Sequence, residues 1–192
     1  MWDSIIKPTL VLFIVCVVIA GSLAYVNSIT IDTIQQNTLI EQEEFRRQVL
    51  KEAQTFEQAQ QKGIAEEVKG IYTGFAGDDP VGYVVEVVSK GYGGAISMTV
   101  GVNMEGVITG IVIGSNNETP GLGSKATGGD FISQLSTITL NDISQNALVV
   151  VKQQPKANNE VQAVSGATIS SRGITKGVQA ALDAVKTVKG GD

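Results

Sequence analysis

Glycines and hydroxyl side chains concentrate in three short segments of this 192-residue chain. In chain order, the three segments read Gly91-Tyr92-Gly93-Gly94, Glu118-Thr119-Pro120-Gly121-Leu122-Gly123-Ser124-Lys125 and Ser165-Gly166-Ala167-Thr168-Ile169-Ser170-Ser171. We call them the first loop (91–94), the second loop (118–125) and the third loop (165–171). Glycine allows backbone to approach a ligand closely, and short glycine loops can direct successive N–H groups at an anion. No single loop is specific, since each is also consistent with an ordinary turn, and the second lacks the G-x-G-x-x-G dinucleotide fingerprint.

The third loop carries more chemical content because it precedes a predicted helix. A helix N-terminus has free N–H groups and a partial positive charge, so an anion at residues 168–171 would meet favourable donors. Arg172, one residue further on, would add a charge-assisted contact. The alternative is that Ser170 or Ser171 simply caps the helix, and the two roles are compatible. The residue types therefore favour a phosphate-bearing ligand at the last helix.

Composition excludes several classes of chemistry. The chain has no histidine, which removes Ser-His-Asp and Cys-His nucleophilic catalysis and His-ligated zinc or haem. Its single cysteine, Cys16, cannot form an internal disulfide or an iron–sulfur site alone. A net charge of −5 without a Lys/Arg run argues against nucleic-acid binding. Chemistry must come from hydroxyls, carboxylates, backbone groups or a borrowed cofactor.

The three loops together resemble the signatures of the FMN-binding domain family. The third loop resembles the family's flavin attachment motif, the second its ETPGLG-type signature, and the first a further glycine signature. With one N-terminal apolar segment, their order and spacing are similar to the G subunits of Rnf electron transport complexes. The C subunits of sodium-translocating NADH:quinone reductases are close relatives of these.

This resemblance implies an electron carrier with covalent FMN. The FMN phosphate would be esterified to the hydroxyl of Thr168 by an ApbE-type flavin transferase that uses FAD and magnesium. The assembly would oxidise reduced ferredoxin, reduce NAD and move sodium ions or protons, with this chain as a relay that is not catalytic alone. Partner subunits would carry the nicotinamide and iron–sulfur sites, for which this sequence has no fingerprint or ligands.

The resemblance also implies which residues contact the cofactor. Besides Thr168, the expected set is Ser165, Gly166, Ala167, Ile169, Ser170, Ser171, Arg172, Glu118, Thr119, Gly121, Leu122, Gly123, Lys125, Tyr92, Gly93 and Gly94. Glu118 and Thr119 are candidates to contact the flavin ring or ribityl chain, although Glu118 could equally be an exposed loop carboxylate. Gln162 departs from the family, which commonly has an acidic residue six positions before the modified threonine. An amide can donate a hydrogen bond but cannot take a proton.

Two other functions stay open. The chain could carry flavin in a sodium-translocating NADH:quinone reductase or as a stand-alone extracytoplasmic shuttle. It could also be a membrane-anchored binding or scaffold domain without a redox group, whose glycine loops are only turns.

An uncharged segment at residues 9–26 is predicted to span the membrane, with the transmembrane helix at 9–28. Ser22-Leu23-Ala24 resembles a signal-peptide cleavage site, but the apolar stretch is long and favours a retained anchor. Bulky Val15 before Cys16 argues against lipidation. Lys7 precedes the span and acidic residues follow it, so residues 1–8 are expected in the cytoplasm and the domain outside a prokaryotic plasma or inner membrane.

Residues 29–63 are predicted to form a juxtamembrane stalk helix. Thr38 and Glu41 match a capping box, and Gly63 is a plausible stop. An apolar stripe at helical spacing is formed by Phe45, Val49, Ala53 and Phe56. It is expected to pack on the chain's own domain, with docking on a membrane partner as the alternative.

Residues 64–192 are predicted to form an α+β domain, an antiparallel sheet flanked by helices. Segments rich in β-branched residues at 81–88, 96–102, 107–113 and 147–151 predict strands, and Met104-Glu105-Gly106 predicts a hairpin turn. Apolar residues recur every three or four positions from Ile174 onward, which predicts a final helix over 171–189 ending at Gly190.

Overall fold

The computed structural model describes residues 5–59 and 64–190. The chain divides into two compact units, Met1–Glu43 and Glu44–Asp192. Helix α1 is Lys7–Val49, and its part Lys7–Ile31 is long and apolar enough to cross a membrane by length and composition. The predicted N-terminal apolar helix is therefore present.

The prediction of a separate stalk helix over residues 29–63, with a capping box at Thr38, is wrong. Thr38 lies inside α1, and its hydroxyl donates to the carbonyl of Ile34 at 2.8 Å instead of capping a new helix. Residues 22–49 contain no glycine or proline, so nothing interrupts the helix. The helix ends at Val49, well before Gly63, which lies outside the described residues. The domain also starts before residue 64, because β1 is Thr55–Gln58.

Five antiparallel strands form the main sheet in chain order, β1-β2-β3-β4-β5. After β1, the bounds are β2 Val68–Ala76, β3 Asp79–Lys90, β4 Ala95–Asn103 and β5 Ile108–Asn116. The three predicted strands at 81–113 are confirmed within β3 to β5. The hairpin turn is confirmed as well, with Gly106 at φ +85° between β4 and β5.

Smaller elements complete the α+β fold. Helix α2 is Gly129–Leu135, and a separate parallel pair joins β6 (Val149–Val151) to β7 (Glu160–Gln162). The strand predicted at 147–151 is thus confirmed with a later start, whereas β1, β2, α2 and β7 were not predicted.

Each face of the main sheet packs against its own layer. On one face, Val49, Leu50 and Ala53 are buried against Val84. The stripe at residues 45–56 therefore packs on its own domain as expected, although Phe56 lies in β1 instead of a helix. Close contacts fix this layer, since the Thr109 hydroxyl donates to the Val49 carbonyl at 2.5 Å.

An ion pair ties the end of α1 to the same face. The Arg46 guanidinium lies 2.8 Å from the Glu86 carboxylate and 3.6 Å from the centroid of the Tyr72 ring. Burial, followed by the charge of Glu86, raises the pKa of the Tyr72 hydroxyl. The three side chains thus form a desolvated contact between α1 and strands β2 and β3.

Helix α3, Thr168–Lys189, covers the other face. It begins three residues before the predicted start and ends at the expected Gly190 cap. Ser170 and Ser171 lie inside the helix, so the alternative that one of them is its N-cap is wrong; the N-cap is Ala167. Two glycines let α3 approach the sheet. A methyl group at Gly173 would overlap the Lys90 carbonyl, and one at Gly177 would come within 2.8 Å of the Met98 sulfur.

The buried face of α3 predicts an asymmetric response to truncation. Ile174 is fully buried, whereas Ile169 on the same helix is exposed. Ile174→Ala should lower the free energy of unfolding by about 2–5 kcal/mol, because it leaves a cavity under the helix. Ile169→Ala, the matched control, should change it by less than about 0.5 kcal/mol. Urea unfolding followed by circular dichroism measures both, and equal losses would contradict this packing.

Candidate functional site

The three loops singled out in the sequence meet at one pocket of about 410 Å³. Its lining comes from all three loops and consists of Tyr92, Thr119, Leu122, Gly123, Gly166, Ala167, Thr168, Ile169 and Ser170. The volume falls within the roughly 300–1,000 Å³ typical of small-molecule sites. Thr168 is half-buried at this wall, in the first position of α3.

The start of α3 supplies unpaired donors to the pocket. The first backbone N–H bonded within this turn is that of Ser171, which donates to the Ala167 carbonyl at 2.9 Å. Within the described part of the chain, the N–H groups of Thr168, Ile169 and Ser170 have no hydrogen-bond acceptor. Three N–H groups without acceptors thus lie in the same first turn as Thr168, at the positive end of the helix dipole, which is a favourable environment for a phosphate.

A buried carboxylate joins the loops to each other. Glu118 is only 7% exposed. One carboxylate oxygen, Oε2, accepts from the Ser170 hydroxyl at 2.7 Å, and the other, Oε1, accepts from the Gly93 N–H at 3.1 Å. The alternative that Glu118 is an exposed loop carboxylate is therefore wrong. Its contact with a cofactor stays a prediction.

Several loop glycines have a structural cause that the sequence did not reveal. A methyl group at Gly91 or Gly123 would overlap the Glu118 carboxylate, and one at Gly93 would overlap the carbonyl of Asn117. The loops therefore need glycine in order to close around one another. Gly166 differs, because its φ of +79° requires the left-handed conformation immediately before α3.

The pocket has an apolar rim to which each loop contributes one side chain. Tyr92, Leu122 and Ile169 are 70%, 53% and 54% exposed. In the described part of residues 44–190, only Val107 and Val149 are other large apolar side chains with comparable exposure. Such a concentration of apolar surface around a pocket marks a binding site.

Other expected site residues do not belong to the pocket lining. Ser171 is buried and shapes the third loop, since its hydroxyl donates to the Ala167 carbonyl and accepts from the Val164 N–H. Ser165, Gly121 and Arg172 are exposed and, like Gly93 and Gly94, do not line the pocket. Lys125 lines a separate groove together with Gln162. The N–H of Gln162 donates there to the side chain of Gln134 at 2.9 Å.

Comparison with known proteins gives consistent matches along the chain. Residues 91–183 match the model of the FMN-binding domain, and residues 1–49 match that of the RnfG N-terminal region. The G subunit of the Na⁺-translocating ferredoxin:NAD⁺ oxidoreductase complex of Acetobacterium woodii is 35% identical over 94% of this chain and 91% of its own. The G subunit of the proton-translocating complex of Clostridium ljungdahlii is 36% identical, over 98% and 96%.

Solved structures extend the comparison to the fold. The crystal structure of Shewanella oneidensis NqrC is 22% identical in sequence, with a TM-score of 0.52. The match covers 73% of each chain. At this identity the likeness establishes a shared α+β fold.

The packing around Glu118 predicts a strong effect of one added methyl group. Gly123→Ala should destabilise the domain by about 1–3 kcal/mol, because the new Cβ has no room beside the carboxylate. Gly129→Ala is the matched control, since nothing lies within 4 Å of a methyl group there. Thermal unfolding of both variants is the measurement. Equal stability of the two would contradict the described closure of the loops.

Proposed function

The chain belongs to the G-subunit family of ion-translocating ferredoxin:NAD oxidoreductase complexes, and on that premise we propose that it carries FMN on Thr168 as an electron relay. The linkage is a phosphoester to the threonine hydroxyl. The observation that supports it best is the position of Thr168, which lines the pocket and lies in the first turn of α3, where three N–H groups have no acceptor. A phosphodiester at Thr168 would receive these donors.

The size and lining of the pocket support the proposal for the remainder of the cofactor. When bound, FMN supplies one- and two-electron transfer. The rim side chains Tyr92, Leu122 and Ile169 would shield its ring from water, and Thr119 adds a hydroxyl to the lining. A covalent link keeps the cofactor from being lost to a dilute exterior.

Attachment needs an external donor of the flavin. The donor is FAD, and the transfer is catalysed by a flavin transferase of the ApbE type that requires magnesium. The bond between Thr168 Oγ and phosphorus forms while the pyrophosphate bond of FAD breaks, AMP leaves, and the hydroxyl proton is released. Ser165, Gly166 and Ile169 are exposed on either side of the half-buried threonine, which gives such an enzyme access to it.

The relay works within a membrane assembly. The segment Lys7–Ile31 anchors the chain, with the N-terminus in the cytoplasm and the FMN domain on the extracytoplasmic side. Partner subunits supply the ferredoxin and NAD sites and move sodium ions or protons. Gly21 in α1 has open space around it, which suits close packing of a partner helix in the bilayer.

Removing one hydroxyl tests the linkage. Wild-type chain coexpressed with a flavin transferase should gain the mass of one FMN less one water molecule and should stay yellow after denaturation. Thr168→Ala should abolish the increment, whereas Thr168→Ser should retain it because the nucleophilic hydroxyl is kept. Intact mass with peptide mapping is the measurement. A wild-type chain without the increment would refute the proposal and favour the non-redox scaffold.

Replacing the amide of Gln162 by a carboxylate is expected to raise the rate of flavin attachment. Gln162→Asp should accelerate flavin attachment several-fold at limiting transferase, because it gives the transferase the carboxylate that the family commonly has six positions before the modified threonine, and an amide does not replace its charge. Glu160→Gln provides the control two residues away, at a carboxylate that accepts from the Lys156 N–H. The time course of the mass increment checks this. A rate unchanged by Gln162→Asp would show that position 162 does not limit attachment.

A further inference from the structure

We infer that Glu118 is a positioning residue, which acts through Ser170 to hold the attachment threonine at the pocket wall and does not itself contact the flavin. This inference rests on the proposed attachment at Thr168. Ser170 follows Thr168 by two residues in the same helical turn, and its hydroxyl donates to Glu118. The carboxylate thus fixes the turn that presents both the hydroxyl and the free N–H groups.

Both oxygens of Glu118 are committed within the protein. Oε2 accepts from Ser170, which is fully buried, and Oε1 accepts from the Gly93 N–H. The backbone of Glu118 is held as well, because its N–H donates to the Asn116 side chain at 3.3 Å. Glycines at positions 91 and 123 close the remaining space around the carboxylate. Little of this side chain is left to meet a ligand.

The two partners require a side chain with two hydrogen-bonding ends at this point. The Gly93 N–H can only donate, and removing the carboxylate would leave it and the Ser170 hydroxyl without partners in a buried setting. A glutamine keeps one acceptor for Gly93 and offers its NH₂ to the Ser170 oxygen, which can also accept. The shape of Glu118 and its acceptors therefore matter more to positioning than its charge.

Attachment kinetics separate positioning from direct contact. The full-length chain and its variants are coexpressed with the flavin transferase, and the modified fraction is followed by intact mass. Glu118→Ala should slow attachment about tenfold or more, Ser170→Ala several-fold, and Glu118→Gln should keep most of the wild-type rate. Ser89→Ala is the matched control. Ser89 is also a buried serine, but its hydroxyl has no hydrogen-bond partner among the described residues and it does not line the pocket.

The double variant gives the sharpest comparison. If Glu118 acts through Ser170, Glu118→Ala with Ser170→Ala should be no slower than Glu118→Ala alone, because the interaction is already lost. Multiplicative losses would mean that Glu118 and Ser170 act independently, which overturns the inference. A wild-type rate in Glu118→Ala would overturn it as well.

Hydrogen exchange supplies a readout that does not require flavin. In chain made without the transferase, Glu118→Ala and Ser170→Ala should speed exchange of the Ser171 N–H, which closes the first turn of α3, but not of amides near Leu182. Ser89→Ala should leave both unchanged. Unchanged exchange at Ser171 in both site variants would overturn the inference. If wild-type chain gains no flavin while exchange responds as expected, the attachment proposal fails and the positioning contact stands. Should Glu118→Ala not fold, Ser170→Ala removes the same hydrogen bond from the other side, and Glu118→Gln is the variant expected to stay near the wild type.

Discussion

A buried carboxylate is the constraint on which the site depends. Glu118 joins residues 25 and 52 positions away in the chain, and burying its charge is favourable only when both donors are in place. The sheet brings those donors together. The register pairs Lys90 with Ala95 and Ile96 with Asn116, which places the chain after β5 beside the first loop. Strand pairing thus determines where the carboxylate lies before any ligand is considered.

The last helix reaches the same point because small residues let it approach the sheet. Gly173 lies against the backbone of Lys90 and Gly91, and Gly177 lies against Met98 and Ser89. Larger residues there would lift the helix away and move Ser170 from the carboxylate. Two features therefore set the position of the N-terminus of α3 relative to the second loop. They are the packing of the helix on the sheet and the hydrogen bond from Ser170 to Glu118.

Local patterns predicted the local elements of this fold. Segments rich in β-branched residues indicated β3 to β5, and regular apolar spacing from Ile174 indicated the body of α3. Strand β2 was missed because Gly70 and Gly74 interrupt its alternation, where other side chains pack close to the backbone. The capping pattern at Thr38 gave a false helix start, because residue 38 lies within α1 and a helix that has already formed extends without a new nucleation cost.

The loops were recognised, but their mutual contacts were not. Residue types indicated three glycine loops and an anion at the start of a helix, and the structure brings these loops to one pocket. The bond between Glu118 and Ser170 depends on register and helix placement over 52 residues, which no local pattern encodes. The same long-range packing explains why position 123 must be glycine: a side chain there would overlap the Glu118 carboxylate.

The charge of the site favours a phosphodiester, as in FMN attached to threonine, over the phosphate monoester of unattached FMN. The N-terminus of α3 attracts an anion through its free N–H groups, yet Glu118 already places a negative charge against the same turn. A phosphate monoester carries about −1.5 to −2 at neutral pH, whereas a phosphodiester has lost its second ionisable oxygen and carries a single charge. Repulsion from the carboxylate is therefore smaller for the diester, while the donors it needs remain the same. If FMN is attached at Thr168 as we propose, a helix start with one carboxylate and three N–H groups without acceptors suits the singly charged diester better than the more highly charged monoester.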